Sequence, residues 1–248
     1  MKTVLITGCS SGFGLETARH FLERDWRVIA TMRSPRADLL PASDRLTVPP
    51  LDVTDPDSIA RLVDGVGQVD ALVNNAGIGL MGAVEATPPE TMRQIFETNT
   101  FGTMALTRAL LPQFREAGAG TIVNVTSSVT ITPLPLLAIY TASKAAVAAY
   151  SDCLALEMAQ FGVSVRLVLP GRSSTRFAEN ARPLMQGLVP DSYADFAQRT
   201  FGAMAGAVSP TRPEDVVSAI WRAVTDPDCP AHQPAGEDAV AALEGTAT

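Results

Sequence analysis

Tyr140-Thr141-Ala142-Ser143-Lys144 heads a long alanine-rich run of helical character, and it carries two side chains that can handle a proton. Residues four apart stack on one helix face, so a phenol and an ammonium share one small space. A positive charge nearby favours phenolate, which makes Tyr140 a candidate proton donor and acceptor near neutral pH. The pair alone is weak grounds for chemistry. Its weight comes from Ser127 upstream, a glycine-rich loop near the N-terminus and Asn99 within an apolar helix stripe.

The glycine loop follows an apolar strand. Val4-Leu5-Ile6 runs into Thr7-Gly8-Cys9-Ser10-Ser11-Gly12-Phe13-Gly14, and Leu15, Ala18, Phe21 and Leu22 continue as a helix. Strand, glycine turn, then helix is the context in which such a loop binds a dinucleotide. Gly8 permits the tight turn, Gly12 lets the backbone approach a pyrophosphate, and Gly14 allows close helix–strand packing. The helix start then offers N–H groups and a positive dipole end to the phosphates. An ordinary turn without a ligand is the alternative.

A second strand, Arg27-Val28-Ile29-Ala30-Thr31, ends in Met32 and Arg33. An NAD-specific site would place a carboxylate there for the ribose 2′-hydroxyl. A guanidinium suits a 2′-phosphate, and the Ser11 hydroxyl can add a contact, so NADP(H) is predicted over NAD(H). Arg33 as a solvated surface charge is the competing reading.

The remaining elements must hold these groups together. Leu46 to Val53 reads as a strand interrupted by Pro49 and Pro50, which suits a sheet edge. Asp55-Pro56 starts the next helix, with Ile59, Leu62 and Val63 facing inward. Ala71-Leu72-Val73 ends in Asn74-Asn75-Ala76-Gly77, where small residues let the backbone pass a ligand and the Asn side chains can pin neighbouring strands. Met92, Ile95, Phe96, Asn99, Thr103, Leu106 and Leu110 form one helix stripe. A buried Asn99 needs polar partners, and a capped or water-linked core amide would satisfy that. Gly120 to Thr126 is a strand with Ser127 at its C-terminal end, the edge at which open α/β sheets bind ligands. Ser127 lies 13 residues before Tyr140 and Asn99 lies 41 before it. The adjacent Ser128 is the alternative hydroxyl. Ser164 to Leu169 is a further strand leading into Pro170-Gly171-Arg172-Ser173-Ser174-Thr175.

These motifs together resemble the short-chain dehydrogenase/reductase family over nearly the whole chain. The glycine loop spacing and Ala30 to Arg33 are most similar to the single-domain branch that holds 17β-hydroxysteroid and retinol dehydrogenases. The resemblance implies one α/β domain over residues 1–248. Its fold would be a Rossmann-like, doubly wound three-layer sandwich with a mainly parallel seven-stranded sheet, order 3-2-1-4-5-6-7. It implies Asn99, Ser127, Tyr140 and Lys144 as the catalytic group, with Lys144 lowering the tyrosine pKa and Asn99 holding a water in a proton path. Gly8, Ser10, Ser11, Gly12, Phe13, Gly14 and Arg33 would meet the cofactor phosphates. Asp52 and Val53 would lie at the adenine, and Asn75, Ala76 and Gly77 at the ribose. Tyr140 and Lys144 would also touch the cofactor, and Pro170, Gly171 and Thr175 would meet the nicotinamide. Residues from about 172 to 210 would form a substrate lid, where Arg172 and Arg176 could meet an anionic substrate or lie solvated. The small-residue helix after Lys144 would join a symmetry mate in a homodimer or homotetramer. The implied reaction is hydride transfer between NADP(H) and a carbonyl or alcohol. A non-catalytic NADP(H)-binding regulator, or an epimerase or dehydratase with bound NAD, are the alternatives.

Composition narrows the classes. A formal net charge of −7 does not suit a nucleic-acid partner, because phosphate backbones call for clustered Lys and Arg. No apolar run reaches the length that spans a bilayer, so no membrane partner is expected. Cys9, Cys153, Cys229, His20 and His232 are scattered without metal-ligand spacing, so no metal site is expected. Reduced thiols and a cytoplasmic location follow as the expectation.

Overall fold

Val4-Leu5-Ile6 is apolar throughout because its sheet has helices on both faces. Val4 and Ile6 enter one core with Val28, Ala30, Ala71 and Val73, whereas Leu5 enters the other with Ile29, Leu72 and Ile122. That two-residue alternation separates the layers.

The computed structural model describes residues 1–172, 176–206 and 210–245. In chain order the elements are β1 (Thr3–Ile6), α1 (Gly12–Leu22), β2 (Arg27–Ala30), β3 (Leu46–Thr47), α2 (Pro56–Val66) and β4 (Ala71–Asn74). Then come α3 (Pro89–Phe96), a π-helical turn (Glu97–Phe101), α4 (Gly102–Ala117), β5 (Gly120–Val125) and α5 (Ala138–Ala159). The chain continues with β6 (Val163–Pro170), α6 (Arg176–Met185), α7 (Ala194–Gly206), α8 (Pro213–Thr225), β7 (His232–Ala235) and α9 (Glu237–Glu244).

Among the described residues the strands form one seven-stranded sheet in the order β3-β2-β1-β4-β5-β6-β7. Every pairing is parallel, so the expected order holds and the sheet is wholly rather than mainly parallel. Phe21, Leu22, Val216 and Ile220 bring α1 and α8 onto one face. Ile59, Leu106, Leu110, Phe114, Leu154 and Met158 bring α2, α4 and α5 onto the other. The result is the doubly wound, Rossmann-like three-layer sandwich.

One expectation changes. The strand read over Leu46 to Val53 shrinks to Leu46–Thr47, with only an isolated bridge between Met32 and Pro50 beyond it. Pro49 and Pro50 have no N–H to give to a ladder, and edge position tolerates the break. The C-terminal stretch, by contrast, gains a definite place. β7 pairs with β6 from Leu167↔His232 to Pro170↔Ala235, and α9 follows it.

Arg166 on β6 is 7% exposed, and its guanidinium donates to the carbonyls of Ala223, Asp226 and Pro227 at 2.6–2.8 Å. It thereby satisfies the orphan carbonyls at the C-terminal end of α8 and fixes that helix to the sheet. No described helix is long and apolar enough to cross a membrane. No cluster of three metal-ligating residues occurs among the described residues. The cysteines are free, Cys153 exposed and the other two buried.

Candidate active site

The C-terminal ends of β1, β2 and β4 open into a cavity of about 870 Å³. Gly8, Ser10, Ser11, Gly12, Phe13 and Arg33 line it from one side, with Asp52, Val53, Asn75, Ala76 and Gly77 facing them. The predicted glycine loop, strand-two arginine and Asn-Ala-Gly turn therefore share one space. Gly8 takes φ +75, and a Cβ on Gly14 would stand 2.5 Å from both Asn75 Nδ2 and the Gly8 carbonyl. Only glycine lets the loop close onto β4 in this way.

Thr7 and Asn75 perform that closure. The Thr7 hydroxyl oxygen accepts from the backbone N–H of Asn75 at 3.0 Å and of Ala76 at 2.9 Å. Asn75 Nδ2 donates to the Thr7 carbonyl at 2.9 Å. Thr7 was not singled out among the site residues; its signal is a buried hydroxyl at the strand end just before the glycine turn. Ser11 makes no side-chain cap on α1 and no acidic residue occupies the first turn. The α1 N–H groups and dipole are thus oriented for an anion in the cavity.

Arg33 is exposed at the cavity rim. Burial works to raise the Asp52 carboxyl, but the Thr54 N–H and hydroxyl and the Arg33 guanidinium hold it below its ordinary value. Asp52 is thus an anion already engaged with Thr54, at 2.9 and 2.7 Å, which leaves the Arg33 guanidinium to face the cavity. Glycine loop, helix start and arginine are a donor set that fits a dinucleotide carrying an additional phosphate.

The second half of the site lies beyond Gly77. Tyr140 and Lys144, on the first turns of α5, are 9% and 5% exposed. The Tyr140 phenol hydrogen-bonds the side chain of Ser127, which also accepts from the Val129 N–H at 3.4 Å. The hydroxyl that meets the phenol is thus Ser127's. Burial pushes the phenol up to about 12, with the Ser127 bond offsetting part of the rise. Lys144 Nζ donates to the Val125 carbonyl at 2.9 Å, and burial lowers its pKa to about 8. Of the two influences on this phenol, burial and the Ser127 hydrogen bond, burial is the larger. The ammonium does reach the cavity wall, because a Cβ on Gly77 would lie 3.4 Å from Nζ.

Asn99 sits in the π-helical turn and is fully buried. Its Oδ1 accepts from the Ile78 N–H at 2.8 Å, and its Nδ2 donates to the Ile78 carbonyl at 2.9 Å and the Ser143 hydroxyl at 3.1 Å. The side chain thus braces the segment after Gly77 against α5. Asn74 and Asn124, paired in register on β4 and β5, join at 2.8 Å, and Asn124 continues to Ser151 at 2.7 Å. This buried seam aligns the strand that carries Ser127 with the helix that carries Tyr140.

Tyr140 packs with Leu80, Ile95, Val129 and Leu188, and Leu184 lies against them. Leu188 follows α6, and its carbonyl accepts from the Ala83 N–H at 2.8 Å, which fixes this segment beside the Tyr140 cluster. Pro170 and Gly171 stand at the end of β6, beside the strand end that leads to Ser127. Thr175 lies outside the described residues.

A family model described as short chain dehydrogenase matches residues 2–186. The 3-ketodihydrosphingosine reductase of Bacteroides thetaiotaomicron is 38% identical over 183 residues, covering 72% of this chain and 66% of that protein. The chain spans 60–66% of the length of the first curated relatives that it matches. A short-chain dehydrogenase from Streptomyces avermitilis superposes with a TM-score of 0.85 at 36% identity, covering 99% of this chain and 92% of that one. A short chain dehydrogenase from Burkholderia cenocepacia, crystallised in complex with NADP, gives 0.81 at 26% identity, covering 100% and 95%. Motifs, sheet order and whole-chain superposition agree, and the chain belongs to the short-chain dehydrogenase family of oxidoreductases.

Proposed function

We propose that this chain is an NADP(H)-dependent oxidoreductase that interconverts a ketone or aldehyde and an alcohol. The observation that carries the reading is the Ser127–Tyr140 hydrogen bond beside a buried Lys144 whose ammonium reaches the wall of the dinucleotide-sized cavity at Gly77.

NADPH, when bound, supplies the hydride that reduces the carbonyl carbon. The residues then handle the oxygen. Ser127 holds and polarises it with its hydroxyl, and Tyr140 gives it the phenolic proton as the new C–H bond forms. A phenol held up at about 12 is fully protonated at neutral pH, the state that carbonyl reduction requires. The Lys144 ammonium favours the phenolate left once that proton is given, and it would hold the ribose hydroxyls, while Asn99 keeps the segment after Gly77 in place for it. Gly8, Gly12 and Gly14 let the loop close on the pyrophosphate. Arg33 and Ser11 would hold a 2′-phosphate, and Asp52 and Val53 would flank the adenine. Asn75, Ala76 and Gly77 line the ribose subsite, with Pro170 and Gly171 at the nicotinamide end.

The wall of Leu80, Ile95, Val129, Leu184 and Leu188 around Tyr140 favours an apolar carbonyl compound, in keeping with the lipid ketone named for the Bacteroides relative. The test is NADPH consumption against a panel of ketones, quinones and aldehydes, with Tyr140→Phe alongside. Turnover lost by about a hundredfold or more in the variant, with NADPH still bound, is expected for a general acid. Turnover that survives the substitution would remove Tyr140 from the chemistry. NAD that stays bound through purification would favour an epimerase or dehydratase instead.

A further inference from the structure

Both roots of the lid are fastened to one carboxylate. Arg172, the last described residue before α6, donates its N–H to Asp238 Oδ2 at 2.6 Å. Thr211, just after the lid, donates its hydroxyl to Asp238 Oδ1 at 2.7 Å, and its own N–H reaches the Arg172 carbonyl at 2.7 Å. Asp238 stands in the first turn of α9, 66 residues from Arg172. The carboxylate lies where a side chain on Gly171 would have to be, so the turn after β6 is shaped around it. Thr211 is 1% exposed and its hydroxyl also lies near the Ala235 carbonyl, at 3.2 Å.

Between these roots, Leu184 lines the cavity and Leu188 joins the apolar cluster around Tyr140. Freeing the roots would lengthen the loop that must be held and raise the entropy lost in holding it over a substrate. Gly171 shares its sheet edge with Ser127, so the same clasp sets one flank of the reacting centre. We propose that Asp238 is a positioning residue of this site, a clasp from the C-terminal helix that joins Arg172 to Thr211 and holds the lid over Tyr140. The role rests on the oxidoreductase reading above.

The clasp needs hydrogen-bond geometry and not charge. An asparagine at 238 can accept from the Arg172 N–H with its oxygen and donate to the Thr211 hydroxyl, which then donates to Ala235. Asp238→Asn is therefore expected to restore what Asp238→Ala loses. The full chain is compared as wild type, Asp238→Ala, Asp238→Asn and Thr211→Val by amide hydrogen exchange, and by KM and kcat for a carbonyl that wild type reduces.

In Asp238→Ala, exchange is expected to accelerate over residues 176–206 and at Arg172, with β1 and α1 unchanged. KM for the carbonyl should rise about tenfold with kcat nearly kept, as two hydrogen bonds at the lid roots are lost. Asp238→Asn should match wild type, and Thr211→Val should show a smaller shift of the same kind. If Asp238→Ala speeds exchange throughout the chain, Thr211→Val decides: unchanged lid exchange there overturns the clasp. An Asn variant as impaired as the Ala variant also overturns it, as does faster lid exchange with an unaltered KM. If wild type reduces no carbonyl, the oxidoreductase reading fails by itself, and lid exchange with and without NADPH still decides whether Asp238 fastens the lid.

Discussion

Asn99 donates through Nδ2 to the Ser143 hydroxyl at 3.1 Å, and Ser143 donates in turn to the Tyr140 carbonyl at 2.7 Å. The π-helical turn is thereby tied to the turn of α5 that carries Tyr140 and Lys144, and Thr100 adds a second tie to the Ser143 carbonyl at 2.9 Å. Asn99→Leu would strand the N–H and carbonyl of half-buried Ile78 and take the donor from the buried Ser143 hydroxyl. A loss of about 3 kcal/mol in unfolding free energy is expected from urea titration. Ser143→Ala removes only the link, so NADPH affinity should hold while kcat falls about tenfold from misplacement of the phenol. Wild-type kcat in Ser143→Ala would show that the link positions nothing.

Lys144 sets activity against stability. Its folded pKa of about 8 lies below its ordinary value of 10.5, so between these pH values the unfolded chain binds more protons than the native one. Stability then rises with pH across that window, and below about 8 the full cost of the buried ammonium is present. Lys144→Met should abolish turnover yet unfold at higher urea at pH 7, by about 2 kcal/mol after the unpaired Val125 carbonyl is counted. The advantage should fade as pH rises from 8 towards 10.5. A variant less stable than wild type at pH 7 would contradict the buried-charge account.

Arg166 gives the opposite pattern. Arg166→Met keeps most of the apolar stem but strands the carbonyls of Ala223, Asp226 and Pro227 at the end of α8. A loss of about 3 kcal/mol is expected. NADPH affinity should stay unchanged, since no residue lining the cavity belongs to α8. Equal urea midpoints would mean that water replaces the guanidinium at no cost.

What was legible in the sequence was local. Four-residue spacing places Tyr140 and Lys144 on one turn, and a strand running through Gly8 to Gly14 into a helix reads as a dinucleotide loop. The apolar run Val4-Leu5-Ile6 reports helices on both faces, and with it the sheet class. Features that depend on distant partners left no periodic trace. Asp238 reads as one more acid at a helix start, and its link to Arg172 spans 66 residues. The direction of the Tyr140 shift was also hidden. Spacing shows that a charge is near, whereas burial, which here dominates, comes from Leu80, Ile95 and Leu188 in three separate segments. The third strand failed for a simpler reason: Pro49 and Pro50 carry no N–H, and two residues of pairing are all the edge retains.

In the proposed function, cofactor choice turns on Arg33, exposed at the rim beside Asp52. A guanidinium gives a 2′-phosphate a charge-assisted, bidentate partner that a free 2′-hydroxyl cannot use equally. Wild type should therefore show a lower KM for NADPH than for NADH. Arg33→Ala should raise the NADPH value about tenfold and leave the NADH value almost unmoved. Arg33→Asp goes further, because the new carboxylate repels the phosphate and can accept from a ribose hydroxyl. The ratio of kcat/KM for the two cofactors is then expected to swing by on the order of 100-fold towards NADH. High salt should weaken NADPH binding to wild type more than to Arg33→Ala, since only wild type holds that ion pair. Equal constants for both cofactors in wild type, or an Arg33→Ala change that falls on NADH and NADPH alike, would return Arg33 to the role of a solvated surface charge.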